Sequence, residues 1–216
     1  MKLDVPLVLQ EKDSNDCGLA GICMILEYYN LKYSIEDLKT HLTVDETGTY
    51  APQIGSFLIE KGFGVEIVTL NPRIFTNNDK ELGQSAIIDK FKKMLNESKS
   101  QQDKKILDYY IEFLNEGGKL KVKIPDAKDV LEEIKNKRPL GALLTTNFLS
   151  NSKPCLNFHF NVITGIDDKF VYVNDPLPDF RGGEKKYLIE DFFFGLHASC
   201  YGDIDNGSLI KVKKIY

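Results

Sequence analysis

From Leu19 to Tyr29 the chain is apolar at nearly every position, broken only by Gly21 and Glu27. A helix that is apolar all round is buried rather than laid on a surface. The residues just before it, Asp13, Ser14, Asn15 and Asp16, are polar, and their side-chain oxygens can satisfy the unpaired N–H groups of a first helical turn. The pattern predicts a buried helix from about Asp16 to Tyr29, with Cys17 on its first turn. Ahead of it, Asp4 to Leu9 alternates weakly and reads as a short extended segment. After it come a short helix opened by the capping-box spacing Ser34 to Asp37 and ending near Leu42, and a helix from Pro52 to the Gly62 stop. Val65 to Leu70 then alternates as a strand does.

Asn71 to Glu81 reads as loop. Between Gln84 and Leu114 the apolar positions return to helical spacing in two runs, Ile87, Ile88, Phe91 and Leu95, then Ile106, Tyr109, Tyr110, Phe113 and Leu114. The polar stretch Asn96 to Gln102 separates them as a hinge, and Gly117-Gly118 ends the second. This predicts a helical insertion over about residues 84–116, expected as a solvated hairpin, with a cover over a cleft as the alternative. Lys119 to Ile124 is a strand, and Pro125-Asp126 opens a helix that ends at Lys137-Arg138-Pro139. The remainder is strand-rich: Leu140–Thr146, Phe158–Gly165, Lys169–Asn174 and Ser208–Ile215, with a short helix over Ile189–Leu196. Asp167-Asp168 marks a hairpin turn. Helices first and an antiparallel sheet later make an α+β fold in one domain over residues 1–216, its cleft between the two halves.

Composition narrows this picture only a little. Of 216 residues, 42% are hydrophobic and 28% charged, which argues for a folded chain rather than a disordered one. A net charge of −4 gives no support for a nucleic-acid partner. The four cysteines, Cys17, Cys23, Cys155 and Cys200, lie far apart without paired spacing, so neither a zinc site nor a disulfide scaffold is indicated. Reduced thiols, no bilayer-length apolar run and no secretory signal at the N-terminus point to a cytoplasmic protein. Export by a route that leaves no such mark stays open.

The candidate chemistry begins at Cys17. At the start of a helix, free N–H groups and the positive end of the dipole favour a thiolate. An activated thiol needs a base, and the base needs an orienting group. Of the three histidines, His159 opens an apolar strand, and the next strand ends in Asp175. A hairpin turning at Asp167-Asp168 brings both to one end of the sheet. A carboxylate there would hold the ring's Nδ1–H and leave Nε2 for the thiol. The Cys17 backbone N–H and the Gln10 side chain could complete an oxyanion hole. His197, after Phe192-Phe193-Phe194, is a rival base without a following strand that ends in a carboxylate. His41 reads as a helix C-terminal cap, Cys23 as core, and Cys155 and Cys200 as structural.

The segments Gln10…Asp16-Cys17-Gly18-Leu19-Ala20 and His159-Phe160-Asn161-Val162-Ile163-Thr164-Gly165…Val171-Tyr172-Val173-Asn174-Asp175-Pro176 resemble those of papain-like cysteine peptidases. Within that group they are most similar to the bacteriocin-leader (double-glycine) peptidases and their stand-alone relatives. The resemblance covers the first thirty or so residues and the last sixty or so; the stretch from about Asn71 to Leu120 has no counterpart in it. It implies a papain-like fold, with Cys17 as nucleophile, His159 as general base, Asp175 orienting the ring and Gln10 in the oxyanion hole. The implied partner is a peptide or protein substrate, and no metal or cofactor is called for. The membrane-transporter portion that often follows such a domain has no counterpart in the chain, which argues against a role in export. Two other readings stay open: an acyl or amide transferase on the same thioester, and a non-catalytic domain that binds a peptide.

Overall fold

The computed structural model describes residues 1–153, 155 and 157–215. Its centre is one seven-stranded sheet, built from β1 (Phe63–Thr69), β2 (Lys119–Val122), β3 (Leu140–Leu144), β4 (His159–Ile166), β5 (Phe170–Asp175), β6 (Gly183–Leu188) and β7 (Ser208–Lys214). The spatial order is β2-β1-β7-β3-β4-β5-β6. Every neighbouring pair is antiparallel except β1 with β2, which run parallel. The antiparallel sheet expected of the later strands is therefore extended at one edge by β1 and β2. That edge is joined through the last strand, β7, so the end of the chain ties the two halves together.

The helices are α1 (Cys17–Tyr28), α2 (Ile35–Lys39), α3 (Ala51–Glu60), α4 (Gln84–Glu97), α5 (Gln101–Asn115), α6 (Ala127–Lys135) and α7 (Ile189–Ala198). Local sequence accounts for their ends. Ser34 and Asp37 form the reciprocal capping box that opens α2, Pro52 lies in the first turn of α3, and Asp126 caps α6. Gly62, at a φ of +86°, makes the left-handed turn from α3 into β1 that other residues resist. The hinge between α4 and α5 is shorter than its polar run suggested, because Ser100 caps α5 by accepting the Asp103 N–H at 3.1 Å. Nor is this hairpin merely solvated: Ile87, Phe91, Ile106, Leu107, Tyr110 and Phe113 join the core.

Three elements escaped the sequence pattern, one of them a 3-10 turn at Ser199–Tyr201 that follows α7. Residues 77–81 form a short 3-10 turn within the stretch read as loop. β6 is an edge strand whose sequence, Gly-Glu-Lys-Lys-Tyr-Leu, carries no buried residue and so lacks the apolar signal of a strand.

Three features set the geometry of the cleft. The N-terminal segment runs across the sheet, with the Leu3 N–H donating to the Thr164 carbonyl at 2.7 Å and the Gln10 N–H to the Pro176 carbonyl at 2.8 Å. It thereby delivers the start of α1 to the end of the sheet where β5 stops. Second, α1 packs closely on β4: a Cβ placed on Gly21 would meet the Phe160 ring at 2.2 Å, and one on Gly141 would meet the same ring at 2.5 Å. Third, Asp205, just before β7, is buried and accepts the Ala51 N–H at 2.8 Å, at the start of α3.

Gly21→Ala is expected to destabilise the fold by about 1–3 kcal/mol, because the methyl has no space beside Phe160; a denaturant midpoint equal to that of the wild type would contradict this packing. Asp205 gives a second test. Burial raises its carboxyl from 3.8 to about 7, so the folded state holds the proton more tightly than the unfolded chain does. Its contribution to stability is complete below about pH 4 and lost as pH rises through about 7. Asp205→Asn keeps an acceptor for the Ala51 N–H and should flatten stability against pH across that window, as read by denaturant titrations at successive pH values.

Candidate active site

Cys17 is the first residue of α1, and Asp16 stands at the N-cap position. The polar residues before it do not cap the helix as expected. The Asp16 side chain makes no cap hydrogen bond and pairs instead with Lys39 at 3.1 Å. Asn15 donates to the Glu46 carbonyl at 3.0 Å. These side chains tie the approach loop to α2 and to the turn at 45–48. The N–H groups at the helix start are thereby left to the sulfur. Burial pushes the Cys17 thiol up. Hydrogen bonding and charge from His159, with backbone N–H groups of Phe160 and Gly18, outweigh that and leave its pKa below the ordinary thiol value.

His159 opens β4 and Asp175 closes β5. The hairpin between them turns where the sequence indicated: the Asp167 carboxylate accepts the Lys169 and Phe170 N–H groups at 2.8 and 2.7 Å. At its open end the His159 Nε2 and Asp175 Oδ1 are 2.7 Å apart, both residues buried. The expected assignment of ring nitrogens is reversed. Asp175 holds Nε2, which leaves Nδ1 as the nitrogen free to serve the thiol. Nδ1 lies nearer the backbone, so the chain reaches the thiol with the inner nitrogen and the carboxylate with the outer one. Burial lowers the imidazole pKa, but the bond to Asp175 and the interaction with Cys17 overcome it, and the ring is raised well above the ordinary imidazole value.

Gln10 is buried and is anchored through its backbone to Pro176, the residue after Asp175. It thus reaches the same end of the sheet as the other three. Its side chain does something other than expected: Nε2 donates to the Ser14 carbonyl at 2.6 Å, and Oε1 is buried without a partner among the described residues. Gln10 does not line the groove that holds Cys17 and His159.

That groove has a volume of about 360 Å³. One side is the 46–50 segment, with Glu46, Thr47, Thr49 and Tyr50; another is Asp203, Asp205 and Asn206. None of these residues was singled out from sequence. The signal for them was faint: a turn at Thr47-Gly48-Thr49 and polar residues ahead of the last strand. The remaining histidines lie elsewhere. His41 packs against Phe57. His197 lies 3.0 Å from the Pro125 carbonyl and lines a separate apolar cavity of about 580 Å³ that contains neither Cys17 nor His159. Cys23 is core, its thiol pushed up to about 12 by burial. Cys200 is half-buried; Cys155 is exposed.

Residues 4–97 match the model of the Peptidase C39 family. The match takes in Gln10 and Cys17. It also runs through α4, so part of the stretch after Asn71 that lacked a counterpart in the sequence resemblance falls inside the family pattern. No curated protein matches the chain by sequence. Two solved structures share its architecture. One is a double glycine motif protease from an AMS/PCAT transporter in complex with the leader peptide, 18% identical, covering 99% of this chain and 94% of that one, TM-score 0.50. The other is the peptidase domain of Streptococcus ComA, a bi-functional ABC transporter, 16% identical, covering 97% and 98%, TM-score 0.50. These likenesses show the α+β, papain-like fold, and the family match supports a cysteine peptidase. No helix among the described residues is long and apolar enough to cross a membrane.

The electrostatics of Cys17 can be measured directly. Iodoacetamide should alkylate Cys17 with an apparent pKa well below the ~8.5 of a free thiol. His159→Ala should move that value up, because it removes the group that opposes burial. An unshifted wild-type profile would contradict the pairing of thiol and ring.

Proposed function

We propose that the protein is a cysteine peptidase that cleaves a peptide or amide bond through a thioester on Cys17. The observation that carries this reading is the buried His159–Asp175 bond of 2.7 Å beside a thiol whose pKa that same ring lowers. The thiolate of Cys17 attacks the scissile carbonyl carbon. The carbonyl oxygen becomes an oxyanion that the Cys17 backbone N–H can hold. His159, protonated on Nδ1, gives that proton to the leaving amine as the C–N bond breaks, which leaves the acyl group as a thioester. A water molecule then loses a proton to Nδ1 and attacks the thioester, and the acid leaves as the thiol and ring regain their starting state. Asp175 orients the ring throughout. It also stabilises the imidazolium, which its carboxylate faces.

Gln10 belongs to this scheme as a second oxyanion donor. Its amide must first release the Ser14 carbonyl, a rotation within the approach loop that substrate would trigger. The substrate class is an extended peptide or protein segment. The double glycine motif protease of similar fold, in complex with the leader peptide, supports a peptide in the groove. Four free cysteines suit a reducing, cytoplasmic setting.

A peptide aldehyde should form one covalent adduct, located on Cys17 by peptide mapping, and Cys17→Ala should abolish both adduct and turnover. Asp175→Ala should lower kcat/KM by about 10²–10⁴-fold, since the ring loses its orientation. Gln10→Ala should lower kcat by about 10²–10³-fold if its amide reaches the oxyanion. An adduct on another cysteine, or full activity without His159, would end the proposal. Product masses settle the acceptor: free carboxylates mean hydrolysis, and amides formed with an added amine mean acyl transfer.

A further inference from the structure

The α4–α5 hairpin is not used in the chemistry above, yet the first turn of α5 reaches the rim of the Cys17 groove. There the Gln102 Nε2 lies 3.0 Å from Thr47 Oγ1, at hydrogen-bond distance from the Tyr50 hydroxyl, and 3.5 Å from Asp203 Oδ2. All three partners line the groove that holds Cys17 and His159. Thr47 and Tyr50 stand on one wall and Asp203 on the other, 153 or more residues further along the chain. One side-chain amide therefore bridges the two walls at the rim, beside the bond by which Asp205 accepts the Ala51 N–H at 2.8 Å deeper in.

Neighbouring contacts reinforce the bridge. Lys105, one turn along α5, pairs with Asp45 at 2.8 Å, and Asp45 in turn accepts the Tyr50 hydroxyl at 2.7 Å. On the other side, Asp103 makes a two-pronged pair with Arg73, both contacts at 3.0 Å, and Arg73 also donates to the Gly202 carbonyl. Residues 102, 103 and 105 of one helical turn thus hold both the 45–50 segment and the 199–206 segment. Cys17, His159 and Asp175 are held differently, by α1, β4 and β5.

We propose that Gln102 is a positioning residue for substrate, and that the first turn of α5 is a brace setting the spacing of the two walls beside Cys17. The brace controls how well an extended peptide is gripped. It leaves the thiol–imidazole pair as it is. The proposal rests on the peptidase reading for its consequence in turnover, but the brace has a readout of its own in the mobility of the two walls.

The test compares Gln102→Ala, Gln102→Lys and Gln102→Glu with the wild type in the full chain. Gln102 is half-buried, so its truncation opens no core cavity. Gln102→Ala should raise KM for a peptide substrate about tenfold while kcat stays within about twofold. Iodoacetamide should alkylate Cys17 with an unchanged rate and pH profile. Amide hydrogen exchange should quicken about tenfold in both 45–50 and 199–206. Gln102→Lys keeps a donor against Tyr50 and Asp203 and should restore both KM and exchange. Gln102→Glu sets a carboxylate beside Asp203 and should exceed the alanine variant in both. Unchanged exchange in either segment overturns the brace. So does a fall in kcat that follows thermal stability with KM unmoved, since that is what a merely structural residue would give. If the wild type cleaves no peptide, the peptidase reading fails, and the exchange rates still decide the brace.

Discussion

The contact between α1 and β4 is the constraint on which the candidate site depends. Cys17 opens the helix and His159 opens the strand, so the spacing of sulfur and ring is the spacing of two backbones. Gly21 and Gly141 both give way to the Phe160 ring, and Phe160 follows His159 in the chain. A bulkier residue at either glycine would lift the helix or turn the strand. Either movement would be felt at the thiol, because a close-packed interior transmits displacement rather than absorbing it. Gly21 on α1 and Gly141 on β3 therefore serve a distance requirement at a site they do not form.

That closeness matters because burial works against both charges. It raises the thiol and lowers the imidazole, and in each case it is the leading influence. Against it, Cys17 and His159 each favour the charged form of the other, and Asp175 favours that of the ring. Asp175 itself is held through one oxygen: Oδ1 also accepts the Leu177 N–H at 2.9 Å, while Oδ2 is buried without a partner among the described residues. A buried group left short of partners is a cost to the fold.

Much of this was legible in the chain because the relevant signals are local. A polar run followed by a buried helix located Cys17, a capping box located α2, and Asp167-Asp168 between two apolar runs brought His159 and Asp175 together. The errors share a different origin. Which ring nitrogen meets Asp175 depends on a side-chain torsion, and no residue spacing encodes it. β6 was missed because an edge strand exposed on its outer flank has no need of apolar residues. The placement of β2 beside β1 with parallel sense is set by where the α4–α5 hairpin returns the chain. The use of Asn15 and Asp16 was misread because a capping residue can equally bond a neighbouring loop when the tertiary fold presents one. The walls of the groove, 45–50 and 203–206, left only a faint signal for the same reason: they come together through contacts far apart in sequence.

The proposed reactivity and the proposed grip on substrate thus fall to separate parts of the molecule. Strands and a buried helix hold the thiol, ring and carboxylate, where precise spacing is needed and rigid elements provide it. The groove walls are irregular segments, which can be re-spaced without disturbing the sheet. Irregular walls, however, need something to hold them. The later turns of α5 contribute Ile106, Tyr110 and Phe113 to the core, while its first turn sends Gln102, Asp103 and Lys105 to the rim. Anchorage and reach thus follow one another along a single helix. On the proposed reading, substitutions in the first turn of α5 would alter the grip on a peptide and leave the cleaving groups as they are.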